Sequence, residues 1–274
     1  MIELLLAHAG EAVLDLAALR LATLTTLDFS WCKTLSVLPD LVGQLTALTT
    51  LNLRGCTALT VLPESLGHLT ALTTLNLSEC KALTVLPDSV GNLVALTTLD
   101  LSWCQTLTLA GLPESVGQLT ALTTLNLRGC IALTVRPESL GQLTALTTLN
   151  LSECKALTVL PDSVGNLTAL TTLHLSWCQT LTGLPKSLAQ LTALMQLNLP
   201  MQGRVPPRGC LWGVRLLQLN RELKSWRERV LVLVLSDRRK KTRQPSHRRL
   251  DMQIWRHLYD EMFVASQTEK RQYF

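Results

Sequence analysis

The sequence predicts an α/β solenoid, an arc of stacked repeats with a parallel β-sheet on its concave face and short helices or helical turns on its convex face. Two observations carry this. The first is a fixed period: leucine-aligned units begin at Leu21, Leu45, Leu69, Leu93, Leu119, Leu143 and Leu167, six of 24 residues and one of 26, and an eighth begins at Leu191 before the pattern dissolves. Self-similarity at a period of about 20–50 residues marks a chain whose units cannot bury their apolar faces alone and must stack. The second is the fidelity of the copies: LTALTTLNLSECKALTVLPDSVGN fills residues 69–92 and again, letter for letter, 143–166.

Each unit supplies one strand and one helical turn. Around its middle, LxxLxLxxC alternates as a half-buried strand does: Leu75 and Leu77 take one side, and Thr74, Asn76 and Ser78 the other. Leu-Pro-Asp/Glu-Ser follows. Proline suits the first turn of a helix, where its missing N–H costs nothing, and the acidic residue favours the positive end. A glycine four residues after the proline allows a tight exit. Stacked strands pair in parallel about 4.8 Å apart, and each fully buried leucine contributes roughly 1.5–3 kcal/mol.

Composition agrees with an aliphatic core: of 274 residues, 47% are hydrophobic, 4% aromatic and 16% charged. The chain lacks an uncharged apolar run of about 18 residues, which argues against a membrane-spanning helix. Its start, MIELLLAHAGEAVLDLAALRL, has no basic leader and carries Glu3 and Glu11, so it reads poorly as a secretory signal and predicts a cytoplasmic protein. Charge divides the chain. Residues 1–199 hold 8 Lys and Arg against 13 Asp and Glu, whereas residues 200–274 hold 17 against 7. The expected organisation is a capping segment at 1–20, the repeats at 21–199, a Pro/Gly-rich linker and capping helix at 200–235, and a basic, disordered tail at 236–274.

LxxLxLxxC followed by LxxLPxxSxGxL resembles the leucine-rich repeat family, over residues 21–199. The 24-residue form with cysteine at the ladder position is similar to the repeats of plant-type intracellular immune receptors and of ROCO GTPases. The resemblance implies a curved solenoid used for protein recognition or regulation, in signal transduction or defense response. It also admits an alternative, in which the chain is a fragment or regulatory part of a larger receptor NTPase or ROCO-type GTPase. No G-x-x-x-x-G-K-[ST] phosphate loop occurs in the sequence itself.

Seven of the eight cysteines, Cys32, Cys56, Cys80, Cys104, Cys130, Cys154 and Cys178, share one position of the unit. They read as a buried structural ladder. Side chains stacked in a column point in parallel, which is poor disulfide geometry, and paired CxxC ligands are absent. No metal, cofactor or catalytic residue is expected, and no small-molecule substrate; the chain is read as a non-enzyme.

Function is sought where the repeat departs from itself on an exposed face. Four concave columns run down the stack. The first is threonine, from Thr26 to Thr172; the second reads Asp28, Asn52, Asn76, Asp100, Asn126, Asn150, His174. The third reads Ser30, Arg54, Ser78, Ser102, Arg128, Ser152, Ser176, and the fourth Trp31, Gly55, Glu79, Trp103, Gly129, Glu153, Trp177. The third and fourth cycle every three units, so the duplicated block is about 74 residues. Tryptophan and arginine are common interface hot spots. The candidate partner-binding set is therefore Trp31, Trp103 and Trp177, flanked by Arg54, Glu79, Arg128 and Glu153, with Asp28, Asp100 and His174 beside them. The competing reading folds each tryptophan over its own turn. Threonine columns of this kind also raise an ice- or water-ordering role, which the tryptophan and arginine on the same face disfavour.

Two positions conflict with the pattern. Arg136 replaces the leucine before proline and is expected to snorkel outward; the two-residue insertion at Leu109–Gly111 is expected to bulge on the convex side. In the tail, DRRKKTRQPSHRR at 237–249 reads first as a solvated basic run. A nuclear-localisation signal at Arg238, Arg239, Lys240 and Lys241, or a patch for nucleic acid or anionic membrane, ranks below it because no aromatic residues interleave the charges.

Overall fold

A computed structural model describes residues 3–5, 23–108, 112–134 and 138–199 of the chain. The insertion at Leu109–Gly111, Arg136, most of the capping segment at 1–20, and the linker, capping helix and basic tail of 200–274 lie outside the described residues.

The strands form one parallel sheet of nine, in chain order. They are β1 (Glu3–Leu5), β2 (Thr26–Asp28), β3 (Thr50–Asn52), β4 (Thr74–Asn76), β5 (Thr98–Asp100), β6 (Thr124–Asn126), β7 (Thr148–Asn150), β8 (Thr172–His174) and β9 (Gln196–Asn198). From β2 to β9 the register is that of the repeat: Leu27 lies beside Leu51, Leu51 beside Leu75, and so on to Leu197. β1 extends the sheet one strand before the first counted unit, with Leu4 beside Leu27. Each strand from β2 onward buries its central leucine and leaves its first and last residues half-buried on the open face.

On the opposite side each unit makes a five-residue 3-10 helix, at Asp40–Gln44, Glu64–His68, Asp88–Asn92, Glu114–Gln118, Glu138–Gln142, Asp162–Asn166 and Lys186–Gln190. The sequence places proline inside the first turn; the structure places it one residue earlier. Pro63 has φ −72° and ψ 150°, an extended conformation, and its carbonyl accepts the Leu66 N–H at 3.0 Å, closing the turn. The physical reason survives the shift, because a residue that only accepts is well suited to the position before the helix. Between sheet and 3-10 helices lies one continuous core, made almost wholly of leucine with the ladder cysteines and a few valines.

The glycine of the first six helical turns, replaced by Ala189 in the seventh, has a different cause from the one its position suggests. Its backbone is not left-handed. A Cβ on Gly67 would lie 2.7 Å from the Ser89 carbonyl oxygen and 2.6 Å from Ser89 Cβ, and the same collision recurs between Gly43 and Ser65, and between Gly141 and Ser163. Each glycine is thus the floor on which the next unit's serine sits. We expect Gly67→Ala to destabilise the protein by about 1–3 kcal/mol in urea unfolding, the range for an overpacked core site. Ser89→Ala deletes a buried hydroxyl that has no hydrogen-bond partner among the described residues. It keeps the Cβ and is expected to cost less than about 1 kcal/mol.

Candidate functional site

Beyond each strand the chain makes a tight turn that sets the exposed columns. Cys32 N–H bonds to Phe29 O at 3.0 Å, and the same bond recurs in later units. The third residue of this turn is the fourth column of the sequence. All seven of its members have left-handed backbone: Trp31 (φ 66°), Gly55 (71°), Glu79 (63°), Trp103 (64°), Gly129 (72°), Glu153 (63°) and Trp177 (64°). Bonding between units fixes this conformation, because the Trp31 N–H donates to Arg54 O at 2.6 Å and the Glu79 N–H to Ser102 O at 2.7 Å.

The second column is occupied in holding that turn. Asp28 Oδ1 accepts the Ser30 N–H at 2.7 Å, and Oδ2 accepts Asn52 Nδ2 at 3.0 Å. Asp100 Oδ1 accepts the Ser102 N–H at 2.8 Å, and Asn76, Asn126 and Asn150 do likewise for the residue two further on. These are Asx turns, in which a short side chain mimics a backbone acceptor. His174 departs from the set. Its Nδ1 lies 2.6 Å from Asn198 Nδ2, so with the amide as donor the ring proton sits on Nε2. Burial lowers the pKa of this ring.

The third and fourth columns interlock across three successive units. Trp31 lies against Gly55 of the next unit so closely that a Cβ on that glycine would be 2.5 Å from the indole Cε3. The Arg54 guanidinium stands over the ring, 5.3 Å from its centroid, and donates onward to Glu79 Oε1 at 3.0 Å. The second copy repeats the arrangement: Trp103 against Gly129, Arg128 at 5.6 Å, and Glu153 Oε1 at 2.7 Å from Nη2 and 3.1 Å from Nε. The structure thus joins Trp, Arg and Glu, which the sequence placed side by side only as columns. Trp31 remains 44% exposed and Trp177 38%, while Trp103 is half-buried.

The ladder cysteines, Cys32 to Cys178, are all buried and unbridged. From Cys56 to Cys178 each thiol donates to a carbonyl of the preceding unit at 3.0–3.2 Å, beginning with Cys56 Sγ to Phe29 O. Burial pushes the thiols of Cys56, Cys80, Cys130 and Cys178 up to about 12, and those of Cys104 and Cys154 further in the same direction. Among the described residues no cluster of three or more His, Cys, Asp or Glu could hold a metal ion, and no helix is long and apolar enough to cross a membrane.

One column escaped the sequence reading. The threonine before each strand is a second ladder, in which Thr49 Oγ1 donates to Thr25 O at 3.0 Å, Thr73 to Thr49, Thr97 to Thr73, and so on to Thr171. Two adjacent threonines look alike in sequence. The signal that separates them is Met195, which ends this column with a side chain unable to donate.

A parallel sheet of stacked strands, a 3-10 turn per unit and a leucine core define a repeat solenoid. The model of the family described as "Leucine rich repeat" matches residues 46–105 and 120–180, within the repeats. Among solved structures, the leucine-rich repeat domain of the type III effector XopL is 27% identical with a TM-score of 0.54, over 68% of this chain and 72% of that one. A leucine-rich repeat protein of Leptospira interrogans is 28% identical with a TM-score of 0.46, over 71% of this chain; the match spans 58% of the Leptospira protein. No curated protein matches the sequence. A repeat domain of this family fits a protein-interaction scaffold.

The buried titratable groups make stability fall at both ends of the pH scale. A thiol such as Cys130, raised from its ordinary 9.0 to about 12, keeps its proton in the fold where the unfolded chain loses it, so its contribution is complete below pH 9 and is lost as pH rises from 9 towards 12. His174 acts in the opposite sense: its lowered folded value makes stability fall as pH drops through 6.5. We expect the unfolding midpoint in urea to decline on both limbs. His174→Asn, the consensus of its column, should flatten the acidic limb and leave the alkaline one unchanged.

Proposed function

We propose that the chain is a non-enzymatic scaffold that holds a partner protein along the strand-end margin of its sheet, where the third and fourth columns run. The observation that carries this is backbone strain at exposed or half-buried positions. Trp31, Glu79, Trp103, Glu153 and Trp177 all occupy left-handed φ. For non-glycine residues such conformations cost of order 1–3 kcal/mol each. The repeat itself shows the relaxed solution, since Gly55 and Gly129 fill the same place. Large aromatic and charged side chains kept at a glycine position, and partly exposed, support selection for their surface. Tryptophan beneath an arginine is also the composition of interface anchors. A role in signalling or immune-type recognition is part of the proposal, supported by the resemblance of the repeat to plant-type receptor repeats.

The test uses the full chain as bait in its own lysate, beside the variant Trp31→Ala, Trp103→Ala, Trp177→Ala, with captured proteins identified by mass spectrometry. Unchanged circular dichroism and a cooperative urea transition establish that the variant is folded. We expect a saturable partner that the folded variant loses. Equal capture by both baits, or none by either, would remove the margin as a recognition surface.

A further inference from the structure

Ionised side chains are sorted by sign around the stack. Six Lys and Arg fall among the described residues: Lys33, Arg54, Lys81, Arg128, Lys155 and Lys186. All but Lys186 lie just past the strands. Arg54 and Arg128 belong to the third column, and Lys33, Lys81 and Lys155 each follow a ladder cysteine, two places beyond the fourth column. All five are exposed. On the other side, exposed acids open six consecutive 3-10 helices, from Asp40 to Asp162.

Pairing within the fold sharpens the contrast. The acids of the strand-end margin are engaged already: Glu79 and Glu153 meet Arg54 and Arg128 at 3.0 and 2.7 Å, and Asp28 and Asp100 accept the N–H groups of Ser30 and Ser102. Lys33, Lys81 and Lys155 have no carboxylate within ion-pair distance among the described residues. Their column, Lys33, Thr57, Lys81, Gln105, Ile131, Lys155 and Gln179, contains no acid, and Ile131 in it is 38% exposed. The margin thus offers unshared ammonium groups beside exposed or half-buried apolar surface. The lysines stand two and three units apart, about 10 and 14 Å at strand spacing, which an extended chain crosses in three and four residues.

We infer that the partner presents an acidic, extended segment to this margin, with carboxylates on Lys33, Lys81 and Lys155 and apolar side chains against the tryptophans and Ile131. The inference rests on the partner-binding reading and gives that partner its chemistry. Charges at the rim of an interface choose and orient a partner more than they tighten it. Here the acids of the 3-10 helices repel the same segment and direct it to the strand side. A nucleic-acid strand fits less well. Its charge recurs at every nucleotide, whereas the lysines are sparse and two of them stand two residues from Glu79 and Glu153.

The test follows the fluorine resonances of Trp31, Trp103 and Trp177 in the full chain labelled with 5-fluorotryptophan, each assigned by a single Trp→Phe variant. These report binding at the margin and not at the basic residues of 200–274. The probes are the peptide acetyl-Glu-Leu-Gly-Glu-Leu-Gly-Gly-Glu-amide, its counterpart with lysine for glutamate, and an oligothymidylate. We expect the acidic peptide to shift these resonances saturably, with an affinity that falls at least about tenfold from roughly 0.05 to 0.5 M salt. The triple variant Lys33→Gln, Lys81→Gln, Lys155→Gln should bind it at least about fivefold more weakly at the lower salt. Glutamine already stands at 105 and 179 of this column, so the stack accepts it. The inference is overturned if the lysine peptide or the oligothymidylate binds the margin as tightly, if no probe moves the three resonances, or if the triple variant binds the acidic peptide unchanged. The partner-binding reading fails separately, when the wild-type chain and its tryptophan variant capture the same proteins. A tryptophan-dependent partner that the lysine variant holds equally well overturns the acidic segment alone.

Discussion

Like meets like from one unit to the next, and this single constraint governs the molecule. Because β2 to β9 pair with Thr beside Thr and Leu beside Leu, every side chain has to tolerate its own copy about 4.8 Å away. Leucine tolerates this best, and the core is a stack of leucines. Cysteine thiols in such a column lie parallel, so each finds a carbonyl of the neighbouring unit in place of another sulfur. Threonine does the same on the other side of the strand. Like charges at that spacing repel, and an acid is repeated in consecutive units on the convex side, where the 3-10 helices open on Asp40, Glu64, Asp88, Glu114, Glu138 and Asp162. The third and fourth columns, on the strand side, never place the same charge in consecutive units, and the charge on Arg54 is met by Glu79 of the following unit.

The same constraint explains why the repeat was copied in threes. Trp31 requires glycine in the next unit, its covering arginine from that same unit, and the arginine's carboxylate from the unit after. No unit of the cycle can be exchanged with its neighbour. A Glu-type unit directly after a Trp-type unit would drive a Cβ into the indole, and an Arg-type unit before one would leave the guanidinium without its ring. A block of three therefore is the smallest piece that can be duplicated with its contacts intact. The identical 24-residue stretches at 69–92 and 143–166 are the same third of two such blocks.

Periodicity made the strands, their register, the leucine core and the position of the cysteines legible in the sequence, since each follows from a spacing alone. What it concealed were the features decided by the neighbouring unit. The left-handed turn under Trp31 was hidden because tryptophan gives no sign of positive φ; the sign lay in Gly55 and Gly129, two glycines in a column that otherwise holds large residues. Asp28 and Asp100 read as binding candidates because their acceptors face the open side, yet both are engaged with backbone N–H groups two residues on. The glycine of the 3-10 turn was visible, but its cause was not, because the serine that demands it belongs to the next repeat.

The sheet face itself is chemically plain, with half-buried threonine followed by Asp or Asn already committed to the turn. Specific chemistry is confined to the margin, and there it recurs every three strands, or roughly 14 Å at parallel-strand spacing. Such a stripe does not favour a single compact ligand, which would find equivalent Trp–Arg pairs to choose from. It favours a partner long enough to engage several at once, for which each added contact is intramolecular and strengthens the whole without any one of them being strong. On the proposed reading, then, the duplication that lengthened the solenoid also multiplied its anchor, and modest pairs at a fixed interval take the place of one elaborate site.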